Sequence, residues 1–187
     1  MKRKILITLS VIFAVGICIV GYTTASTKGN STKAQQREQR HLEREKRRAE
    51  RQASYERYID SIVLSRNYQF SPQSMQQQPA GPMRLLNNAN FELSVWGSEV
   101  DIFMPYIKGV TPPYYTVMLN YTLPSVSNYI TEQTQEGWLV TFGASLFSAS
   151  GYKFSLEIYT ASGSALLTIG SDWYPDVQYS GAISGLN

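Results

Sequence analysis

The chain has 187 residues, with 17 Lys or Arg, 14 Asp or Glu and a formal net charge of +3. It contains one Cys and one His, which excludes a disulfide-stapled fold and removes the commonest ligands of a metal centre. The charge is divided along the chain. Residues 26–66 carry 11 basic and 6 acidic side chains, whereas residues 67–187 carry 3 basic and 8 acidic ones. The net positive charge therefore does not predict nucleic-acid binding.

The N-terminal segment has the three-part pattern of a secretory signal peptide. Basic residues 2–4 precede an apolar stretch over residues 5–20, and Thr23 and Ala25 supply the small residues of a cleavage site. The pattern predicts a signal peptide over residues 1–25 and a periplasmic or secreted protein. The alternative is an uncleaved N-terminal membrane anchor. Cys18 lies inside the apolar stretch after Ile17, which is not the small residue that a lipidation site requires.

The next segment is predicted to be a flexible leader over residues 26–32, followed by one long charged helix over residues 33–66. The helix segment contains no Gly or Pro and is rich in Gln, Glu, Arg and Lys. Its first half has no apolar stripe, so we expect it to be solvated. Its second half is expected to dock on the following domain through a stripe formed by Tyr55, Ile59, Ile62 and Val63.

The basic residues of this helix alternate with Glu, which favours a solvated spacer over a nucleic-acid-binding surface. Peripheral contact of the basic helix with anionic membrane headgroups stays open as an alternative. A coiled coil is not favoured because apolar positions do not repeat over several heptads.

Residues 67–187 are predicted to form a β-domain. Between residues 91 and 183, apolar and polar residues alternate in about eight short runs, which indicates strands with one buried face. The clearest run places five apolar residues on one face: Tyr115, Val117, Leu119, Tyr121 and Leu123. Residues 71–82, with three prolines and a Gln run, are predicted to be a polar loop. Gly97-Ser98 and Ser150-Gly151 are predicted turns.

Strands joined by short turns predict an antiparallel meander. About eight strands leave too many exposed edges for a flat sheet, so the predicted fold is mainly β. We expect a curled, lipocalin-like barrel preceded by one long N-terminal α-helix. A two-sheet sandwich is the alternative.

Several short motifs point to a family. Met104-Pro105-Tyr106, Pro113-Tyr114, the segment 152–158, Gly163-Ser164-Ala165 and the segment 177–181 occur in that order. With these motifs the chain resembles the domain of unknown function 4251 family of exported proteins, found mostly in gut Bacteroidetes, over roughly residues 66–183. The resemblance implies a lipocalin-like envelope β-domain with no established activity. Asp172-Trp173 stands where the family usually has Asn-Arg, so no role of that Arg carries over.

The sequence offers little catalytic chemistry. His41 is alone in the charged helix, and no Gly-x-Ser-x-Gly elbow or Gly-rich phosphate loop occurs. We therefore predict no catalytic residue, no metal and no cofactor. Asp172 and Asp176 bracket Trp173-Tyr174-Pro175, and a carboxylate-dependent hydrolase using this pair is the one enzymatic alternative.

Aromatic residues are the most suggestive feature, with 13 Tyr, 7 Phe and 3 Trp. The alternation assigns Trp138, Phe142, Tyr152 and Phe154 to the core, and we expect the barrel interior to be filled. The aromatics outside the pattern lie in loops or at a strand mouth, and they form the predicted binding surface: Tyr106, Tyr114, Tyr115, Trp173 and Tyr174.

These observations favour a non-enzymatic binding or interaction module of the cell envelope. Its partner would be an unknown envelope protein or a small ligand, and not nucleic acid. The alternative is a lipocalin-like carrier that holds a small apolar ligand inside the barrel.

Overall fold

The structure, a computed structural model, describes residues 28–109, 115–147 and 150–186. The predicted signal peptide, residues 1–25, lies outside the described residues. One helix and ten strands follow one another along the chain: α1 (Lys28–Leu64), β1 (Asn67–Gln77), β2 (Arg84–Leu85), β3 (Glu92–Trp96), β4 (Glu99–Lys108), β5 (Tyr115–Leu123), β6 (Ser127–Gln133), β7 (Gly137–Leu146), β8 (Ser150–Tyr159), β9 (Ser164–Ser171) and β10 (Val177–Gly185).

The helix begins at Lys28, so residues 28–32, predicted as a flexible leader, are helical. The side chains of residues 32–55 are exposed, as a helix without an apolar stripe requires. The chain divides into two compact units at Arg48, and the second unit holds the last turns of α1 together with every strand. Within the described residues, no helix combines the length and the apolar character needed to cross a membrane.

The strands form a curled antiparallel half-barrel, which confirms the predicted fold class of a mainly β domain with one N-terminal helix. Nine strands follow one hydrogen-bonded path in the order β5-β4-β3-β1-β10-β9-β8-β7-β6, and β2 pairs with β1 beside this path. All pairs are antiparallel. The first strand pairs with the last, so β1 joins the meander β3–β5 to the meander β6–β10.

The prediction of a polar loop over residues 71–82 was wrong for its first half, because residues 71–77 belong to β1. The inner face of β1 carries the fully buried Tyr68 and Phe70 and ends in the buried Gln77, while its outer face carries Gln and Ser. Pro72 is tolerated because the register with β10 shifts between Pro72 and Ser74, and bulges accommodate proline. Opposite it, Gly181 lets the strands approach, since an added Cβ would lie 2.2 Å from Ser71 O.

Of the two predicted turns, one is confirmed and one was wrong. Trp96 pairs with Glu99 across Gly97-Ser98, and Gly97 adopts the left-handed φ of 62° that such a turn requires. Ser150 and Gly151 instead pair with Leu146 and Ser145, so the predicted turn forms the first two residues of β8.

The core fills the concave side of the sheet and continues into the last turns of α1. Ile59 and Val63 of the helix have no exposed surface. Phe142 stacks on Phe154 with ring centroids 4.7 Å apart, and Tyr129 lies parallel to Phe142 with ring centroids 5.8 Å apart. All four predicted core aromatics are buried, as their position in the alternation requires: Trp138, Phe142, Tyr152 and Phe154.

Side-chain hydrogen bonds fasten the helix to one end of the half-barrel, called here the helix end. Trp138 Nε1 donates to Asp60 Oδ1 at 2.7 Å. Tyr58 Oη accepts from Gly185 N at 2.7 Å, and Tyr55 Oη donates to Ser162 O at 3.3 Å. The helix end therefore combines apolar burial with hydrogen bonds to the β6–β7 side, the β8–β9 turn and the end of β10.

Replacing Ile59 with Ala is expected to destabilise the fold by about 2–4 kcal/mol, because it opens a cavity where the helix meets the sheet. Leu64→Ala removes a comparable side chain from the same helix at a position that is 61% exposed. It should change the free energy of unfolding by no more than about 0.5 kcal/mol. Urea unfolding followed by circular dichroism measures both. Equal effects would show that α1 does not pack on the sheet as described.

Candidate functional site

The structure separates the predicted binding aromatics. Tyr115 is the first residue of β5 and is 65% exposed, and Trp173 in the β9–β10 loop is 71% exposed. Tyr174 beside it is partly buried. Tyr114 lies outside the described residues. Tyr106 is fully buried inside β4, so the prediction that it lies in an exposed loop was wrong.

Pro105 explains the error at Tyr106. A proline usually marks a loop, but here it sits in β4 beyond Phe103, where the pairing with β3 has ended. Pro105 still pairs with Met118 of β5, and its carbonyl oxygen accepts a hydrogen bond from Tyr179 Oη at 2.8 Å. A proline is acceptable in a strand that has lost one neighbour. The inward-facing phase of β4 therefore continues through Tyr106 to Lys108.

Antiparallel pairing brings several strand termini together at the end of the half-barrel opposite the helix, called here the distal end. The last residue of β4 is Lys108, and it pairs with Tyr115 at the start of β5. Phe147 follows β7, and Tyr152 near the start of β8 pairs with Ser171 at the end of β9. Side chains from both meanders therefore meet at the distal end.

A cation and aromatic rings form the centre of this end. Lys108 Nζ lies 4.7 Å from the ring centroid of Phe147 and 5.3 Å from that of Tyr174. Such contacts stabilise an ammonium through the negative face of the ring. Among the described residues, no Asp or Glu forms an ion pair with Lys108. The described contacts of the ammonium are therefore with aromatic rings. Its N–H groups remain available to donate hydrogen bonds to another group.

Tyr106 and Tyr152 lie in the same cluster. Their rings meet edge to face with centroids 5.9 Å apart, and Tyr152 also contacts Phe147 at 5.9 Å. Tyr121 of β5 packs edge-on against Phe147 at 5.7 Å, and its hydroxyl accepts a hydrogen bond from Phe147 N at 3.3 Å. We call the five residues around this point the distal cluster: Tyr106, Lys108, Phe147, Tyr152 and Tyr174.

Two of the three tyrosine hydroxyls of the distal cluster, those of Tyr106 and Tyr152, are buried without a partner among the described residues. Tyr106 is 0% exposed and Tyr152 is 1% exposed, and neither hydroxyl has a hydrogen-bond partner among the described residues. The other two fully buried tyrosines are satisfied. Tyr179 donates to Pro105 O, and Tyr68 Oη lies 3.0 Å from Tyr129 Oη. Because an unpaired buried hydroxyl costs about 1–3 kcal/mol, two of them at one place call for an explanation.

Both phenols remain neutral under physiological conditions. Burial raises the pKa of Tyr106, and the nearby Tyr152 and Asp176 raise it further, whereas the Ser171 hydroxyl acts in the opposite direction. Ser171 Oγ does not meet the geometry of a hydrogen bond to Tyr106, and it accepts from Tyr174 N at 3.1 Å. Burial likewise raises the pKa of Tyr152. Each phenol therefore retains an O–H that can donate.

The two aspartates of the hydrolase alternative lie in a shallow cleft. Asp172 and Asp176 are both exposed, and with Lys153 and Gly170 they line a depression of about 310 Å³. Asp176 lies against Gly170, whose place in β9 faces away from the core. A general-acid carboxyl is normally kept protonated by a dehydrated, apolar setting, which these exposed residues lack. The arrangement does not favour the hydrolase alternative.

The carrier alternative requires space inside the half-barrel. The concave side is instead filled by large side chains, including Phe142, Phe154 and Leu156, all of which are at most 3% exposed. The stacked rings of Tyr129, Phe142 and Phe154 add to this filling at the middle of β7 and β8. This packing does not favour the carrier alternative.

The sequence reasoning did not find Lys108, Phe147 or Tyr152 as site residues. One signal was available for Lys108. It is one of three basic residues after residue 66, and it continues the inward phase Met104-Tyr106-Lys108, where a charge is unusual. Phe147 and Tyr152 had no such signal, because their proximity to Lys108 arises from pairing across the sheet.

Comparison with known proteins identifies a family. The model of the family "Domain of unknown function (DUF4251)" matches residues 50–183. The crystal structure of a DUF4251 family protein from Bacteroides eggerthii DSM 20697 is similar, with a TM-score of 0.55 and 12% sequence identity. The match covers 72% of this chain and 91% of that one, and it supports the fold. No curated protein matches this chain.

Tyr106→Ala is expected to destabilise the fold by about 3–5 kcal/mol, because it removes a fully buried ring from the core. Tyr115→Ala makes the same chemical change at a residue that is 65% exposed, so it should cost less than about 0.5 kcal/mol. Urea unfolding midpoints compare the two. An unchanged unfolding midpoint in Tyr106→Ala would contradict the burial of Tyr106 and would support its prediction as a surface residue.

Removing only the hydroxyl provides a second test. Tyr152→Phe is expected to leave stability unchanged or to raise it by about 1 kcal/mol, because the lost hydroxyl has no partner. Tyr179→Phe should instead lose about 1 kcal/mol, since it breaks the bond to Pro105 O. The measurement is the free energy of unfolding of each variant. A clear loss in Tyr152→Phe would mean that its hydroxyl has a partner in the free protein.

Proposed function

This chain belongs to the DUF4251 family, and we propose that it is an exported, non-enzymatic protein of the cell envelope that binds a small organic ligand at its distal end. The observation that carries the proposal is the pair of buried, unpartnered hydroxyls of Tyr106 and Tyr152 beside the ring-held cation of Lys108. Binding proteins keep a few convergent polar groups among apolar walls, and these groups bond their ligand.

Exposed aromatics extend this site outward. Trp173 and Tyr115 are the large exposed rings at the distal end, next to Tyr174 and Lys108 respectively. Rings at the end of a sheet offer a flat apolar surface and lose little conformational entropy on binding. Such a surface packs more favourably against the apolar body of a ligand than against water. A rim of this kind around buried polar groups is typical of a small-molecule site.

Export is supported by the N-terminal pattern of a basic start, an apolar stretch and Thr23 and Ala25 before a cleavage site. The domain holds no cysteine after residue 18, so it needs no disulfide for stability outside the cytoplasm. Its stability rests on the apolar core of the half-barrel.

Native mass spectrometry of the protein purified from its own cells, without refolding, tests the proposal. We expect a mass that lacks residues 1–25 and a non-covalent small-molecule adduct. Trp173→Ala should lose most of the adduct. Trp96→Ala is the matched control, because Trp96 is 67% exposed at the helix end and should keep the adduct.

The other outcomes contradict separate parts of the proposal. A mass that includes residues 1–25 would show that this segment is retained, as in a membrane anchor, and is not a cleaved signal peptide. An adduct that survives Trp173→Ala would move the site elsewhere. If a protein co-purifies and no small molecule does, the binding partner is a protein and not a small ligand. If the protein mass carries no adduct at all, the proposed binding function is contradicted.

A further inference from the structure

The hydrogen-bonding groups of the distal cluster indicate which chemical class of ligand it can bind. A Lys ammonium carries three N–H donors and no acceptor, and a neutral phenol carries one O–H donor. Lys108, Tyr106 and Tyr152 thus bring several donors to one place, and none of them has an acceptor among the described residues. Donors without acceptors select a ligand group that only accepts, and an oxyanion such as a carboxylate, sulfonate or phosphate is that group.

The charge at this place also favours an anion. The Phe147 and Tyr174 rings replace part of the water around the Lys108 ammonium, but ring contacts compensate that loss only in part. Of the two carboxylates in the β9–β10 loop, Asp176 raises the pKa of Tyr106. Asp176 lies against Gly170 of β9, and it forms no ion pair with Lys108 among the described residues.

The surroundings indicate the body of the ligand. Trp173 directly precedes Tyr174 of the distal cluster, and Tyr115 pairs with Lys108, so two exposed rings adjoin the cluster along the chain and across the sheet. Flat apolar groups stack on such rings. A hydrophilic inorganic ion would use the donors but leave these rings wet.

We infer that the distal end binds an organic anion, with the oxyanion at Lys108, Tyr106 and Tyr152 and a flat apolar body against Trp173 and Tyr115. This inference rests on the proposed function and names the substrate class of that site.

A matched pair of fluorescent probes tests it on the purified protein. Anilinonaphthalene sulfonate and phenylnaphthylamine share one aromatic body, and only the first carries an oxyanion. We expect the sulfonate to bind at least about tenfold more tightly, since hydrogen bonds to a charged group are stronger than those between neutral groups. Raising NaCl from about 0.05 to about 0.5 M should weaken the sulfonate and not the neutral probe.

Single substitutions test which residues cause the preference for the sulfonate probe over the neutral probe. Lys108→Met should lower sulfonate affinity at least about tenfold and leave the neutral probe unchanged, whereas Lys108→Arg should retain the preference because it keeps the charge. Tyr152→Phe should lower sulfonate affinity by a smaller factor. Lys153→Met is the matched control, because Lys153 is exposed on the outer face of β8, and it should change neither probe. Far-ultraviolet circular dichroism checks that each variant is folded.

The outcomes distinguish this inference from the proposed function. If both probes bind equally, depend on Trp173 and ignore Lys108→Met, the site exists but is not selective for anions, and the inference fails alone. If neither probe binds, or Trp173→Ala affects neither, the distal site fails and the inference fails with it. Loss in Lys108→Met without any loss in Tyr152→Phe would overturn the role of the phenol and leave it as a hydrated hydroxyl.

Discussion

The pairing of β1 with both β3 and β10 is the constraint on which the rest of the structure depends. In the hydrogen-bonded order, the meander β3–β5 and the meander β6–β10 meet only through β1. The distal cluster is divided in the same way. Tyr106 and Lys108 come from the first meander, whereas Phe147, Tyr152 and Tyr174 come from the second. The site therefore forms only because β1 joins the two meanders into one sheet, and no short segment of the chain could form it alone.

The parts of the fold that the sequence predicted are those in which burial acts on one face. In β5 the inward residue Leu119 is buried and its neighbours Met118 and Asn120 are exposed, so alternation of residue types follows alternation of environment. β1 escaped prediction because its inner apolar residues alternate with Gln, Ser and Pro, which are typical of loops. Only its partner strands β2, β3 and β10 supply the backbone hydrogen bonds that make it a strand, and a single sequence does not reveal these partners.

The candidate site was predicted only at its exposed margin. Trp173 and Tyr174 could be found because they lie in a loop outside the alternation, and Tyr115 could be found because it stands at the start of its strand. The buried centre could not, because the distance between Lys108 and Phe147 depends on how far the sheet curls. Tyr106 was misassigned for a physical reason as well, since Pro105 is tolerated at the point where β4 leaves β3. Local composition thus locates a rim, while the chemistry beneath it depends on long-range pairing.

The two ends of the half-barrel differ in how the polar groups of their aromatic side chains are satisfied, while the buried Asn67 Oδ1 at the helix end also has no partner among the described residues. At the helix end, Trp138 bonds Asp60 and Tyr58 bonds Gly185, and the helix buries Ile59 against the sheet. At the distal end, two phenols are buried without partners beside a cation that has no counter-ion among the described residues. Evolution of stability alone would replace such phenols with Phe, because an apolar ring of the same shape avoids the desolvation cost. Their presence at one end, in a domain whose other fully buried tyrosines are hydrogen-bonded, supports the proposed site. The helix end contributes packing and hydrogen bonds to stability, and the distal end holds the unpaired donors to which we assign the proposed binding.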